Sequence, residues 1–396
     1  MNKKYDIELL IFFFSIIFLP KIGLFDLKLI ALLFYLIISF WRNKKIVIEK
    51  YYIFPCVILF CLVLLFFVNS FMNETDYLIL LRYFRCILSI VVINNYLVSK
   101  RIKVDLCVKS ISFVILLHAL SIIFSIIIPA SRTYIELFSQ YNKKILPLRS
   151  TGLLSGYDFA GFFLSAALIL RIMYNVKEKN KVFDLYCYIF IISIPLTSRL
   201  NALLLIFEIV IIILYMLKTK RISSTMSLLI IIPIILIGSI FSILTIEAFE
   251  PIKHNLIQKY HWVSVLDSNI NMTYSDSNII DAFESHYAID KSVNRIIGNG
   301  ITANRDPGVI KTIYEGGAVA LILKFLFYLY LFYFSFKHRK KHYVFGFVCF
   351  YIILITIFEF KLLFYFATGG FELLIALLSA IYLQEVAYKS NISESS

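Results

Sequence analysis

The stretch NRIIGNGITANRDPGVIKTIYEGG, Asn294 to Gly317, gathers two arginines, an aspartate, a glutamate and five glycines in one polar segment. Arg295 and Arg305 carry planar guanidinium forks that match phosphate or diphosphate oxygens two at a time. Asp306 and Glu315 are carboxylates of the kind that accept a proton from an attacking hydroxyl. Gly298, Gly300, Gly316 and Gly317 let the backbone turn, or approach a ligand, where a side chain would obstruct it. A plainer reading of the acids stays open: Asp306 opens an Asp-Pro-Gly turn, and Glu315 caps the following helix or pairs with Lys311.

Other residues offer the same chemistry elsewhere in the chain. Arg149 begins RSTGLLSGYDFAGF, where Gly152, Gly156 and Gly161 allow close backbone approach, and Arg132, Lys143 and Lys144 lie just before it. Arg199 stands in the otherwise nearly uncharged run IPLTSRLNALLLIFEIV. A charge there needs a partner, a polar cavity or room to snorkel to an interface. Arg82 and Arg85 are three positions apart, on one face of a helix, and either join an anion site or pair with Glu208 or Glu359. No P-loop, dinucleotide fingerprint, zinc-protease or nucleophile-elbow motif occurs, and the six cysteines form no CxxC pair. His254, His261 and His286 read as surface residues. The expected chemistry uses no metal and no cofactor.

These groups must be positioned by a very apolar chain. Of its 396 residues, 60% are hydrophobic and 16% charged, and the mean hydropathy is +0.85. That composition excludes an ordinary soluble domain and predicts an all-α polytopic membrane protein, because only helices or closed barrels satisfy the backbone in lipid. Continuous apolar runs fall near 7–20, 24–41, 51–70, 77–98, 108–129, 158–174, 183–197, 200–217, 226–246, 312–336, 343–359 and 370–388, about twelve spans of bilayer length. Lysines and arginines cluster at alternate connections: Lys3 and Lys4; Arg42, Lys44 and Lys45; Lys100, Arg101 and Lys103; Lys177, Lys179 and Lys181; Lys218, Lys220 and Arg221; Lys337 to Lys341; and Lys389.

That alternation accounts for the net charge of +14 as topology rather than as a nucleic-acid surface, and puts both termini on the cytoplasmic side. The N-terminus reads as an uncleaved first span. Two large loops, about 130–157 and 247–311, then face away from the cytoplasm, with short turns near Met72 to Asp76 and Thr197 to Arg199. Ser275 to Ile296 carries apolar residues at helical spacing and predicts an amphipathic helix on the membrane surface, ended by Gly298 and Gly300. No internal repeat and no Gly/Pro-broken span of the transporter type is evident, so residues 1–396 read as one transmembrane domain.

The layout resembles the Wzy-type O-antigen and capsule polymerases, within the superfamily that also holds O-antigen ligases. The features that carry the resemblance are the span count, the two large outer loops, Arg149 to Gly152, Ser198-Arg199 opening a span, Gly298-Asn299-Gly300, and Tyr314-Glu315-Gly316-Gly317 leading into a helix. Members are described with an arginine, ten intervening residues and a glycine in both loops; Arg305 to Gly316 has that spacing, and Arg149 to Gly161 is one residue longer. Ligases usually carry a histidine shortly before the helix start, where this chain has Asn304, Arg305 and Asp306.

The resemblance implies a GT-C-like membrane fold and a metal-independent glycosyltransferase of the bacterial inner membrane. Both substrates would be undecaprenyl-diphosphate-linked oligosaccharides. Arg82, Arg85, Arg149, Arg199, Arg295 and Arg305 would hold diphosphate, and Asp306 or Glu315 would take the proton. Gly152, Gly298, Gly300, Gly316 and Gly317 would shape the backbone. Membrane lipids, a chain-length regulator and a flippase are the implied partners. A ligase acting on lipid A core and a lipid-linked oligosaccharide flippase are the alternatives.

Overall fold

The computed structural model describes residues 6–22, 25–139, 149–179, 182–218, 287–303, 307–367 and 369–394. Among them are twelve α-helices: α1 (Ile7–Phe18), α2 (Leu27–Asn43), α3 (Lys50–Met72), α4 (Tyr77–Lys100), α5 (Val104–Ile127), α6 (Pro129–Ser139), α7 (Tyr157–Tyr174), α8 (Leu185–Ser193), α9 (Arg199–Lys218), α10 (Gly308–His338), α11 (Tyr343–Glu359) and α12 (Gly370–Glu394). A two-residue antiparallel ladder, Lys21–Ile22 with Phe25–Asp26, joins α1 to α2. The expected apolar runs coincide with α1–α5 and α7–α12, and the run near 226–246 lies outside the described residues. Helix α6 falls in the stretch read as loop; its sequence PASRTYIELFS is mixed rather than uniformly apolar, so a search for bilayer-length runs passes over it.

Five helices, α3, α4, α5, α7 with its π-helical extension, and α10, are long and apolar enough to cross a membrane; α1, α8, α9, α11 and α12 are shorter apolar helices. The chain has the helices of a membrane-embedded protein. Their starts are set by capping side chains: Asp6, Asp26, Asp76, Asp184 and His342 each accept a backbone N–H of the first turn.

The chain forms two compact units, one of Met1–Val114 with Ile279–Ser396 and one of Ile115–Asn278. In the first, α4 packs against α2, α3 and α12, while α10 packs against α3 and α11. Glu8 takes Arg42 at 3.0 Å and also pairs with Lys100, which reaches Asp6 at 3.4 Å. The start of α1 and the ends of α2 and α4 therefore share one end of this unit, as the alternation of basic connections requires. In the second unit, α7 packs against α8 and α9. Gly161 makes room for Asn201, whose amide donates to the carbonyls of Tyr157 (3.3 Å) and Asp158 (3.2 Å).

Two expectations change. Helix α10 leaves helical geometry at Gly316 (φ −156°, ψ 21°) and Gly317 (φ 63°, ψ −161°), so the chain does contain a glycine-broken helix. The N–H groups of Ala318 and Val319, which open its second segment, donate to Arg295 O (2.8 Å) and Ile296 O (3.1 Å). The loop thus replaces the missing helical turn. The amphipathic helix does not extend over 288–303, and its part before Tyr287 lies outside the described residues. Side chains divert the backbone instead: Asn294 Oδ1 accepts from Ile296 N and Ile297 N, and Asn299 Oδ1 accepts from Asn294 N. The apolar residues counted toward that helix serve another contact, with Val293 joining Ala303, Ile310 and Tyr314 in a small core against the start of α10.

Candidate functional site

The first unit builds a platform where loop 294–303 meets the α3–α4 turn and the break in α10. Asp76 caps α4 with Oδ1 on Leu78 N (2.9 Å), accepts Thr302 Oγ1–H on Oδ2 (2.6 Å), and donates its own N–H to Gly300 O (2.8 Å). Asn69, in the last turn of α3, donates its amide to Ile297 O (2.8 Å) and Glu315 O (3.3 Å). Two glycines then interlock. A Cβ on Gly298 (φ 72°) would lie 2.5 Å from Gly316 N, and one on Gly317 would strike the carbonyl of Ile296. Backbone meets backbone there, and no side chain can rotate to make room.

Glu315 sits at this break, with both carboxylate oxygens used. Oε1 accepts from Arg82 Nη1 at 2.6 Å; Oε2 accepts from Lys324 Nζ at 2.9 Å and lies 3.5 Å from Tyr83 Oη. Lys324 also donates to Thr312 Oγ1 (2.9 Å), so it ties the short first segment of α10 to the long second one. The Glu315 and Lys324 side chains are fully buried, whereas that of Arg82 is 19% exposed. Charges in a low-dielectric interior require such pairing. Two cations facing one carboxylate leave this cluster with a local excess of one positive charge, and Arg82 is its open edge.

Arg85, one turn further along α4, faces other partners. Its Nη2 donates to Phe366 O (3.1 Å), Nε lies 3.4 Å from Glu372 Oε1, and Nη1 lies 3.8 Å from Asp26. The arginine pair is thus shared out, Arg82 to α10 and Arg85 to α12 and the start of α2, and neither pairs with Glu359. Glu315 likewise pairs with Arg82 and Lys324 instead of Lys311. Glu359 receives Phe364 N and Tyr365 N on one oxygen, both at 2.6 Å, and its carboxyl abuts Gly308. Arg295 is exposed and contributes its carbonyl to the break. Arg305 and Asp306 lie outside the described residues.

The second unit holds Arg149 and Gly152 in a separate built turn. Ser150 donates its N–H to Leu196 O (3.0 Å), and its Oγ accepts from Ser125 Oγ (2.5 Å) and Gly152 N (3.0 Å). His118, from α5, accepts Leu153 N on Nδ1 (3.1 Å), which leaves the proton on Nε2, 3.4 Å from Ala160 O. Gly152 (φ 53°) lies against this ring, and a Cβ would stand 2.7 Å from Nδ1. Arg149 is half-buried, and its carbonyl accepts from Arg132 Nη2 at 2.9 Å. Arg199 is the first residue of α9.

Asn69, Asp76 and His118 were not among the residues singled out for chemistry. For His118 a signal existed, since it is the lone ionisable residue of its apolar stretch, VILLHALSIIF. Asn69 and Asp76 act on partners more than two hundred positions away and had none. Among the described residues, no group of His, Cys, Asp and Glu gathers as a metal site. No protein-family model, curated protein or solved structure matches the chain.

Proposed function

We propose that the protein is a polysaccharide polymerase of the bacterial inner membrane, with a GT-C-like fold and cytoplasmic termini. It transfers a growing undecaprenyl-diphosphate-linked glycan onto the sugar hydroxyl of a lipid-linked repeat unit at the outer face. The observation that supports this best is the Arg82, Glu315 and Lys324 cluster, an open guanidinium and a buried carboxylate held together at a loop-clamped helix break. Glycosyl transfer from a diphosphate needs those two functions. Cationic N–H donors stabilise the negative charge that develops on the leaving group beside a poorly screening bilayer. A carboxylate takes the proton from the attacking hydroxyl. In this reading Arg82, Arg85, Arg295 and Arg305 serve the diphosphate, and Arg149 and Arg199, in the second unit, are anion ligands in their own right. Asp306 and Glu315 are the two candidates for the base. Membrane lipids, a chain-length regulator and a flippase are the expected partners.

The break in α10 also bears on the transporter alternative, since transporters place broken helices at the membrane midplane. From Ala318 to His338 roughly 20 residues remain, about 30 Å of helix, enough to cross a hydrocarbon core alone. That length favours a break at the edge of the span, where a headgroup site belongs.

The test is purified protein with synthetic undecaprenyl-diphosphate repeat units, scored for chain growth with and without chelator. Growth that resists chelator, and that Arg82→Ala abolishes, is expected. Failure to extend, or transfer to lipid A core instead, overturns the polymerase reading.

A further inference from the structure

Resting on that reading, we propose that Glu315 is a masked base: Arg82 covers Glu315 Oε1, and an arriving diphosphate draws the guanidinium away and bares the oxygen. Three features of the cluster carry this.

The first is that Arg82 is the member able to move. Its side chain is 19% exposed, against none for Glu315 and Lys324. It spends one N–H on Glu315, and among the described residues its remaining donors, of the five a guanidinium carries, make no hydrogen bond. The second is that Glu315 stays oriented when Arg82 leaves. Lys324 holds Oε2 and is itself anchored on Thr312, Tyr83 Oη stands beside the same oxygen, and the Asn69 amide bonds the Glu315 carbonyl. The third is the charge balance. A diphosphate carries more negative charge than one carboxylate and offers paired oxygens to the guanidinium fork, so it outcompetes Glu315 for Arg82 while Lys324 keeps Glu315 ionised.

The chemical step then balances. The acceptor hydroxyl oxygen bonds to the anomeric carbon of the donor sugar, and its proton passes to Glu315 Oε1. The bond from that carbon to the diphosphate oxygen breaks, and its electron pair leaves on the diphosphate, beside Arg82. Glu315 afterwards returns the proton to water. Such coupling keeps the base covered until a donor is seated, which suppresses activation of stray water.

The test measures binding of inorganic pyrophosphate to the full chain in lipid nanodiscs, comparing the unaltered protein with Glu315→Gln. Removing the internal competitor should tighten binding about tenfold, the effect of freeing one charge-assisted hydrogen bond. Chain growth in the same variant should be lost. Binding that is unchanged or weaker in Glu315→Gln, absent in both proteins, or tighter with chain growth retained, overturns the proposal. Should Glu315→Gln not fold, Glu315→Asp keeps the charge beside Lys324 but falls short of Arg82, and should tighten binding in the same direction by less. Pyrophosphate binding needs no turnover, so a protein that shows the exchange but extends no glycan retires the polymerase reading and leaves the exchange standing.

Discussion

Both units contain a glycine in left-handed geometry pressed against a neighbour, and the neighbours differ in kind. In the first unit Gly298 and Gly317 face backbone atoms of each other's segments; in the second, Gly152 faces the imidazole of His118. A backbone contact has no rotamer to yield, whereas a ring can turn or be replaced. The first junction is therefore fixed by main-chain geometry, and the second is adjustable through the side chains of His118 and Ile122.

The sharpest way to break this contrast is Gly298→Ala or Gly317→Ala. Each drives a Cβ into main-chain atoms at positive φ, so a loss of about 3 kcal/mol or more is expected, with complete loss of chain growth. Thermal unfolding in detergent and the extension assay read both. Lys324→Met comes next, because it removes the partner that Glu315 has across the break. Removing one member of a buried ionic cluster costs about 3 kcal/mol, and a melting temperature within error of the unaltered protein would show that the link to Thr312 and Glu315 holds nothing. Asn69→Ala strips two carbonyls of their amide donor, and about 1–2 kcal/mol is expected, with slower extension. Gly152→Ala should be as mild, at about 1–2 kcal/mol. His118→Ala combined with it should cost less than the sum of the two single changes, because the ring that meets the new Cβ is gone. Strict additivity there would remove the distinction between the two junctions.

The helices were legible in the sequence because apolar runs of bilayer length are a physical necessity for crossing lipid, and α3, α4, α5, α7 and α10 all fall on such runs. The break in α10 was half legible. Gly316-Gly317 stood out as a flexible pair before a helix, but the glycines alone do not say that Arg295 and Ile296 supply the carbonyls that make a break tolerable. Arg82 and Glu315 were each picked out as chemistry. Their pairing was not, because a contact across 233 positions leaves no periodic trace, and the nearer Lys311 offered a simpler partner. The surface helix over 275–296 shows the opposite error. Helical spacing of Val293 and its neighbours was real, but Asn294 and Asn299 satisfy the backbone locally and turn it away from a helix.

The interlock of Gly298 with Gly317 has a consequence for the order in which the chain is made. Its two sides emerge from the ribosome close together, so this junction closes over a short loop at little entropic cost. Asn69, which bonds Ile297 across 228 positions, and Asp76, which accepts Thr302 across 226, were synthesised long before. The last-made part of the platform therefore docks onto a scaffold already waiting in the membrane, and a chain halted ahead of α10 would hold the receiving amide and carboxylate with nothing yet to receive.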